Sequence, residues 1–180
     1  MVDLSVIIVS YNTREILLGC LQSVFDTLDE TIAANRYSAD ARALSRGYEV
    51  IVVDNASTDD SLPRIEAWCA GEFEHAPQQA SLPGVICSPR APAGLRWASL
   101  DAGAAMPSPL PQVLLLRSSR NTGFAGGNNL GLAVAAAAGC RAHWLLNTDT
   151  VVAPHSLLAL LRRLDERPSA GAVGSHGALL

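Results

Sequence analysis

Two short runs, Leu4-Ser-Val-Ile-Ile-Val-Ser10 and Tyr48-Glu-Val-Ile-Val-Val-Asp54, constrain this chain more than any other feature. Their apolar, mostly β-branched residues follow one another instead of alternating with polar ones. A strand of that kind has no wet face, so each run is predicted as a strand covered on both sides, as in a parallel sheet flanked by helices. Between them, Leu17, Leu21, Val24 and Leu28 recur at intervals of three and four, the spacing of one helix face packed on such a sheet. That helix is predicted to start near Thr13, with Asn12 and Glu15 as a variant capping box, and to blur after Asp29 into an extra helical turn before Gly47.

The alternation continues. A helix over about Leu62–Ala70, a strand over Gln112–Arg117, an alanine-rich helix over Gly126–Gly139, a strand over His143–Asn147 and a helix over Pro154–Glu166 complete the pattern. Strand-helix repeats of this type give an α/β fold, a mostly parallel sheet with helices on both faces, right-handed crossovers and ligands beyond the carboxyl ends of the strands. The stretch 71–111 holds seven of the 10 prolines and is predicted as an insertion loop without regular ladders.

With 180 residues the chain fits a single domain, able to bury roughly 70% of the surface its unfolded form exposes. At 49% hydrophobic and 17% charged it is too apolar for a disordered chain. A net charge of -4 and scattered positive residues offer no stripe for a nucleic acid backbone. All 13 positive residues are arginine, which excludes P-loop and Schiff-base lysines and, with the alanine content, suggests a GC-rich bacterial genome. Cys20, Cys69, Cys87 and Cys140 form no CxxC pair and no charged leader precedes Val2, so a reduced, cytoplasmic protein is expected. Apolar stretches are too short for the roughly 20 residues of a membrane span.

Three polar clusters end strands predicted to lie at one sheet edge: Ser10-Tyr11-Asn12, Asp54-Asn55-Ala56-Ser57 and Asn147-Thr148-Asp149. Asn12 or Ser57 alone is as readily a helix cap as a ligand contact, but three clusters at one edge favour a site. Asp54 closes an apolar strand, where a carboxylate needs donors from its own loop or from a ligand such as a pyrimidine imide. Asp149, beside Asn147, offers hard oxygen of the kind Mg²⁺ or Mn²⁺ accepts alongside diphosphate oxygens; a turn or N-cap is its plainer role. The glycines at 123, 126, 127 and 131 let backbone approach a ligand but miss the dinucleotide fingerprint. His75, His143, His155 and His176 have no zinc-site spacing, and no nucleophile elbow occurs. Trp68, Trp97 and Trp144 read as packing residues, with sugar stacking a lesser option for Trp97.

Taken together, Val9-Ser-Tyr-Asn12, Val52-Val-Asp-Asn-Ala-Ser-Thr-Asp59, Asn121-Thr-Gly-Phe-Ala-Gly-Gly-Asn-Asn-Leu-Gly131 and Leu145-Leu-Asn-Thr-Asp-Thr150 resemble the family 2 glycosyltransferases of GT-A fold. The likeness covers residues 2 to about 177 outside the insertion and is nearest the bacterial branch with rhamnosyltransferases of polysaccharide assembly. Thr148 departs from the proline common there.

The resemblance implies a Rossmann-like nucleotide-binding half with a UDP- or dTDP-sugar donor. Its nucleotide-sugar-binding residues would be Ser10, Tyr11, Asn12, Asp54, Asn55, Ser57, Asn121, Gly126, Gly127, Asn129 and Asn147, with the base against Ser10–Asn12 and hydrogen-bonded to Asp54. Asp149 would ligate a divalent cation, Mg²⁺ or Mn²⁺. It further implies inverting transfer to a glycan or lipid-linked acceptor, with peripheral association at the inner membrane face as an option. The acceptor-side half and its general base are expected beyond residue 180, so that residues 1–180 form one truncated donor-binding domain. A catalytically incomplete binding or interaction module is the alternative. A nucleotidyltransferase is disfavoured because Ser10-Tyr-Asn-Thr-Arg14 lacks a basic, glycine-rich triphosphate loop.

Overall fold

The parallel sheet expected from the apolar runs is present. A computed structural model describes residues 3–14, 16–35, 47–72, 74 and 90–175. Glu15, His75, Cys87, His176 and part of the 71–111 stretch lie outside the described residues. In chain order the elements are β1 (Leu4–Ser10), α1 (Leu17–Asn35), β2 (Tyr48–Asp54), α2 (Ser61–Cys69), β3 (Trp97–Asp101), β4 (Val113–Arg117), α3 (Gly123–Ala137), β5 (Ala142–Asn147) and α4 (Ser156–Glu166). The strands are ordered β3-β4-β2-β1-β5, and every neighbouring pair is parallel.

Strand pleating divides the core. Even-numbered residues of β1 and β2, such as Val6, Ile8, Val50 and Val52, pack with α1, α2 and α4 residues including Leu21, Trp68 and Leu161. Odd-numbered Ile7, Ile51 and Val53 pack under α3 at Ala135. Both faces of β1 and β2 are thereby dry, which is why these strands carry no polar alternation. Trp68 is fully buried, and Trp97 and Trp144 lie against the same core, so all three tryptophans pack as the sequence reading favoured.

Three local expectations change. Helix α1 starts at Leu17, not Thr13, because Asn12 adopts a left-handed backbone (φ 54°) and turns its side chain to another loop. A turn fills the gap, with the Ile16 and Leu17 amides donating to Thr13 O. Helix α3 starts at Gly123, so the glycine-rich run is its first half and not a loop. The 71–111 stretch supplies a strand after all: β3 lies in the proline-free span between Pro92 and Pro107 and sits at the sheet edge, where only one side needs a ladder.

A buried carboxyl sits at the opposite end of the sheet from the polar clusters. Glu49 is buried and accepts a 2.5 Å hydrogen bond from Ser5 Oγ. Burial, the largest influence, raises its pKa despite that bond. A carboxyl raised by folding binds its proton more tightly in the native state, so stability is lost as pH climbs from the unfolded value through the native one. Glu49→Gln should therefore melt higher than the parent at pH 7 and converge with it near pH 4; parallel melting curves at the two pH values check this.

Candidate functional site

Pairing across the strands brings the polar clusters together. Ser10 stands opposite Asp54 in the β1–β2 register, and Val9 opposite Asn147 in the β1–β5 register, so all three clusters emerge side by side at the carboxyl edge. On the other flank Asp54 is level with Arg117 of β4, whose Nε pairs with Asp101 of β3 at 2.9 Å. This is the edge at which ligands bind in open α/β sheets.

The loops are laced by side chains acting across them. Asn12 Oδ1 accepts from Thr58 N (2.8 Å), Thr58 Oγ1 (3.4 Å) and Asp59 N (3.3 Å), while Asn12 N donates to Ser57 Oγ (3.0 Å). Asn12 is thus a cap, but for the loop after β2 and not for its own helix. Ser10 is buried and shares a 2.8 Å hydroxyl contact with Thr13, whose amide donates to Ser61 Oγ at 3.1 Å. Thr13 and Ser61 escaped sequence reading, because a lone hydroxyl carries no local signal of a partner 48 residues away. Burial, the largest single influence, opposes ionisation of Asp59, but the Ser61 hydroxyl and amide and the nearby Arg14 together hold its carboxyl below the usual range.

Asn55 is saturated. It is 2% exposed, its Nδ2 donates to Asn121 Oδ1 (3.0 Å) and Gly123 O (3.1 Å), and its Oδ1 accepts from Thr122 N (3.0 Å) and Thr122 Oγ1 (3.1 Å). Both donors and both acceptor positions of the amide are engaged. Asn55 therefore ties the start of α3 to the end of β2 as a positioning residue. Asn121 is exposed, yet its Oδ1 also accepts from Gly123 N (2.8 Å).

Asp54 differs. Its Oδ2 accepts from Ser57 N at 3.3 Å, whereas Oδ1 is buried with no partner among the described residues. An orphaned buried carboxylate oxygen is costly and calls for a donor. Tyr11, which follows Asp54's register partner Ser10 just beyond the end of β1, is 46% exposed. Asn128 Oδ1 is likewise buried and unpartnered while its Nδ2 donates to Phe124 O (2.9 Å); the sequence reading had chosen its exposed neighbour Asn129.

Two glycines of α3, Gly127 and Gly131, are explained by packing on the sheet. An added Cβ at Gly127 would lie 2.5 Å from Val9 Cγ1, and one at Gly131 would lie 2.6 Å from Ile7 Cγ2. Gly126, half-exposed, faces its own Thr122 at 2.5 Å. The helix can approach the sheet closely only without these side chains. Thr122, the cap residue of α3, makes no side-chain capping bond, and Gly123 N is taken up by Asn121 Oδ1; the later first-turn amides lie at the strand ends, where anions are favoured.

Asn147 and Asp149 are exposed at the end of β5, and Thr148 between them is buried. Beneath them Cys20 is held as a neutral thiol, its pKa pushed up to about 12 by burial first and by the Asp149 charge second. Among the described residues no three His, Cys, Asp or Glu side chains cluster as a metal cage. A single exposed carboxylate beside an amide does suit a cation that keeps water and ligand phosphates in its shell, as Mg²⁺ does. No helix among the described residues is long and apolar enough to cross a membrane.

Residues 5–78, from β1 to just beyond α2, match the family Glycosyl transferase family 2. No curated protein matches the chain. Among solved structures, S. aureus TarS 1–349 in complex with UDP is similar at 16% identity and TM-score 0.50, over 97% of this chain and 38% of that one. A second structure of S. aureus TarS 1–349 gives 15% identity, TM-score 0.48 and the same coverage, and one of S. aureus TarS gives 16%, 0.47, 92% and 20%. The chain thus spans well under half of these neighbours and shares the fold of the UDP complex.

Proposed function

We propose that this chain is the donor-binding part of a family 2 glycosyltransferase and binds a pyrimidine nucleoside diphosphate sugar at the carboxyl edge of β1, β2 and β5. The observation that carries the reading is Asp54, a buried carboxylate with one oxygen unsatisfied among the described residues, paired in register with Ser10 ahead of the exposed Tyr11, within the span that matches the family. In this reading Asp54 accepts the imide proton of the base and Tyr11 lies along its ring. The first-turn amides of α3 beyond Gly123 face the diphosphate. Asp149 and Asn147 hold a divalent cation on the phosphates; when bound, it supplies positive charge that stabilises the leaving diphosphate. Asn12, Ser57, Asn55 and Asn121 hold the loops in which these groups sit. The motif set extends the reading to inverting transfer of a UDP- or dTDP-linked sugar, rhamnose among the candidates, onto a polysaccharide or cell-surface glycan at the inner membrane face.

Calorimetric titration with UDP and dTDP, with and without Mn²⁺, tests this. We expect Mn²⁺ to tighten binding of one of them about tenfold or more, equivalent to about 1.4 kcal/mol, and Asp149→Ala to abolish that gain. Asp54→Ala should weaken binding in both conditions. A folded parent chain that binds neither nucleotide would refute the proposal.

A further inference from the structure

Helix α1 buries an apolar face, yet one line along it is polar. Cys20, Ser23, Thr27 and Glu30 follow one another at helical spacings of three and four, and the first three are at most 2% exposed. Polar side chains are costly there unless each has a partner. Each has one in a backbone group of the segment from Asn147 to His155. Cys20 Sγ donates to Asn147 O (3.5 Å), Ser23 Oγ accepts from Val152 N (3.0 Å) and Thr27 Oγ1 donates to Ala153 O (3.5 Å). Glu30 Oε2 accepts from His155 N (3.2 Å) and lies 3.7 Å from His155 Nδ1.

The partnered segment cannot support itself. Between β5 and α4 it has no ladder of its own, and its internal bonds are the single turns Thr150 N to Asn147 O and Ser156 N to Ala153 O. His155 holds a left-handed backbone (φ 62°), a conformation that persists in a non-glycine residue only where its surroundings impose it. Ser23 also donates to Cys20 O at 2.7 Å, which orients its hydroxyl so that a lone pair faces Val152 N.

We propose that this polar line of α1 is the positioning element for the Asn147–Asp149 turn, setting where the Asp149 carboxylate stands relative to Asp54. The inference deepens the donor-binding reading above and assigns Ser23, Thr27 and Glu30 as positioning residues for the cation-binding side of that site.

Hydrogen exchange on the ligand-free chain and calorimetry with UDP and Mn²⁺ test it together. In Ser23→Ala, amides of peptides covering 148–155 should exchange at least tenfold faster while those of β1 and β2 keep their protection. The Mn²⁺-dependent gain in UDP affinity should fall about tenfold with metal-free UDP binding unchanged, and Ser23→Thr should restore both. Should Ser23→Ala fail to fold, Glu30→Ala at the half-exposed end of the line should give the same split. Unchanged exchange over 148–155, or equal loss of metal-free and metal-dependent binding in a folded variant, overturns the proposal. A parent chain without Mn²⁺-dependent UDP binding defeats the donor reading, and the assignment to the cation side falls with it; the exchange result then still decides whether the line holds the turn.

Discussion

Asn55→Ala should lower stability by about 2–4 kcal/mol and the melting temperature by roughly 5–15 °C, the largest loss expected from any single polar side chain at the site. Four hydrogen bonds go with the amide: to Asn121, to Gly123 and two from Thr122. Because those partners lie on exposed residues, water recovers part of the loss, which keeps the total below four full desolvation penalties. The isosteric Asn55→Asp is a sharper test. It keeps an acceptor for Thr122 but turns a carboxylate oxygen toward Asn121 Oδ1 and Gly123 O, so it should be at least as damaging as alanine at pH 7. Denaturant unfolding of both variants checks the prediction; an Asn55→Asp chain as stable as the parent would mean that the amide is a ligand contact and not the tie we describe.

The second large effect concerns glycine to alanine, where the same substitution should change sign with position. At Gly131 the new methyl would sit 2.6 Å from Ile7 Cγ2 and 3.4 Å from Val53 Cγ2. Ile7 is fully buried in a strand paired on both sides, so it cannot withdraw. Helix propensity returns about 1 kcal/mol, but overpacking costs about 1–3 and occasionally more, so Gly131→Ala should lose up to about 2 kcal/mol. At Gly19 of α1 no atom of the described residues lies within 4 Å of the added carbon, so the propensity term stands alone and Gly19→Ala should gain about 0.5–1 kcal/mol. Midpoint shifts at constant m-value measure both. A stabilised Gly131→Ala chain would show that α3 can lift off the sheet at little cost.

The amino-acid sequence by itself determined the parallel α/β class, the bounds of β1 and β2, and the edge from which the polar clusters emerge. These are local matters: an unbroken apolar run has one stable environment, and a polar residue after it must sit at the strand's end. Only the tertiary structure decided the strand order, with β5 beside β1 leaving Leu145 45% exposed, and the use of 97–101 as an edge strand where the surrounding prolines had argued for none. It also decided what the polar residues do. Asn12 caps a loop 46 residues away, Asn55 spends its amide on residues 66 to 68 positions on, and Ser23 meets Val152 across 129. A side chain's chemistry can be read from its type, but its partner is chosen by folding, because hydrogen bonds between distant segments leave no periodicity in the chain. The same holds for Gly127 and Gly131 of α3, which look like ligand-approach residues in sequence and become contact points with Val9 and Ile7 once helix and sheet are brought together.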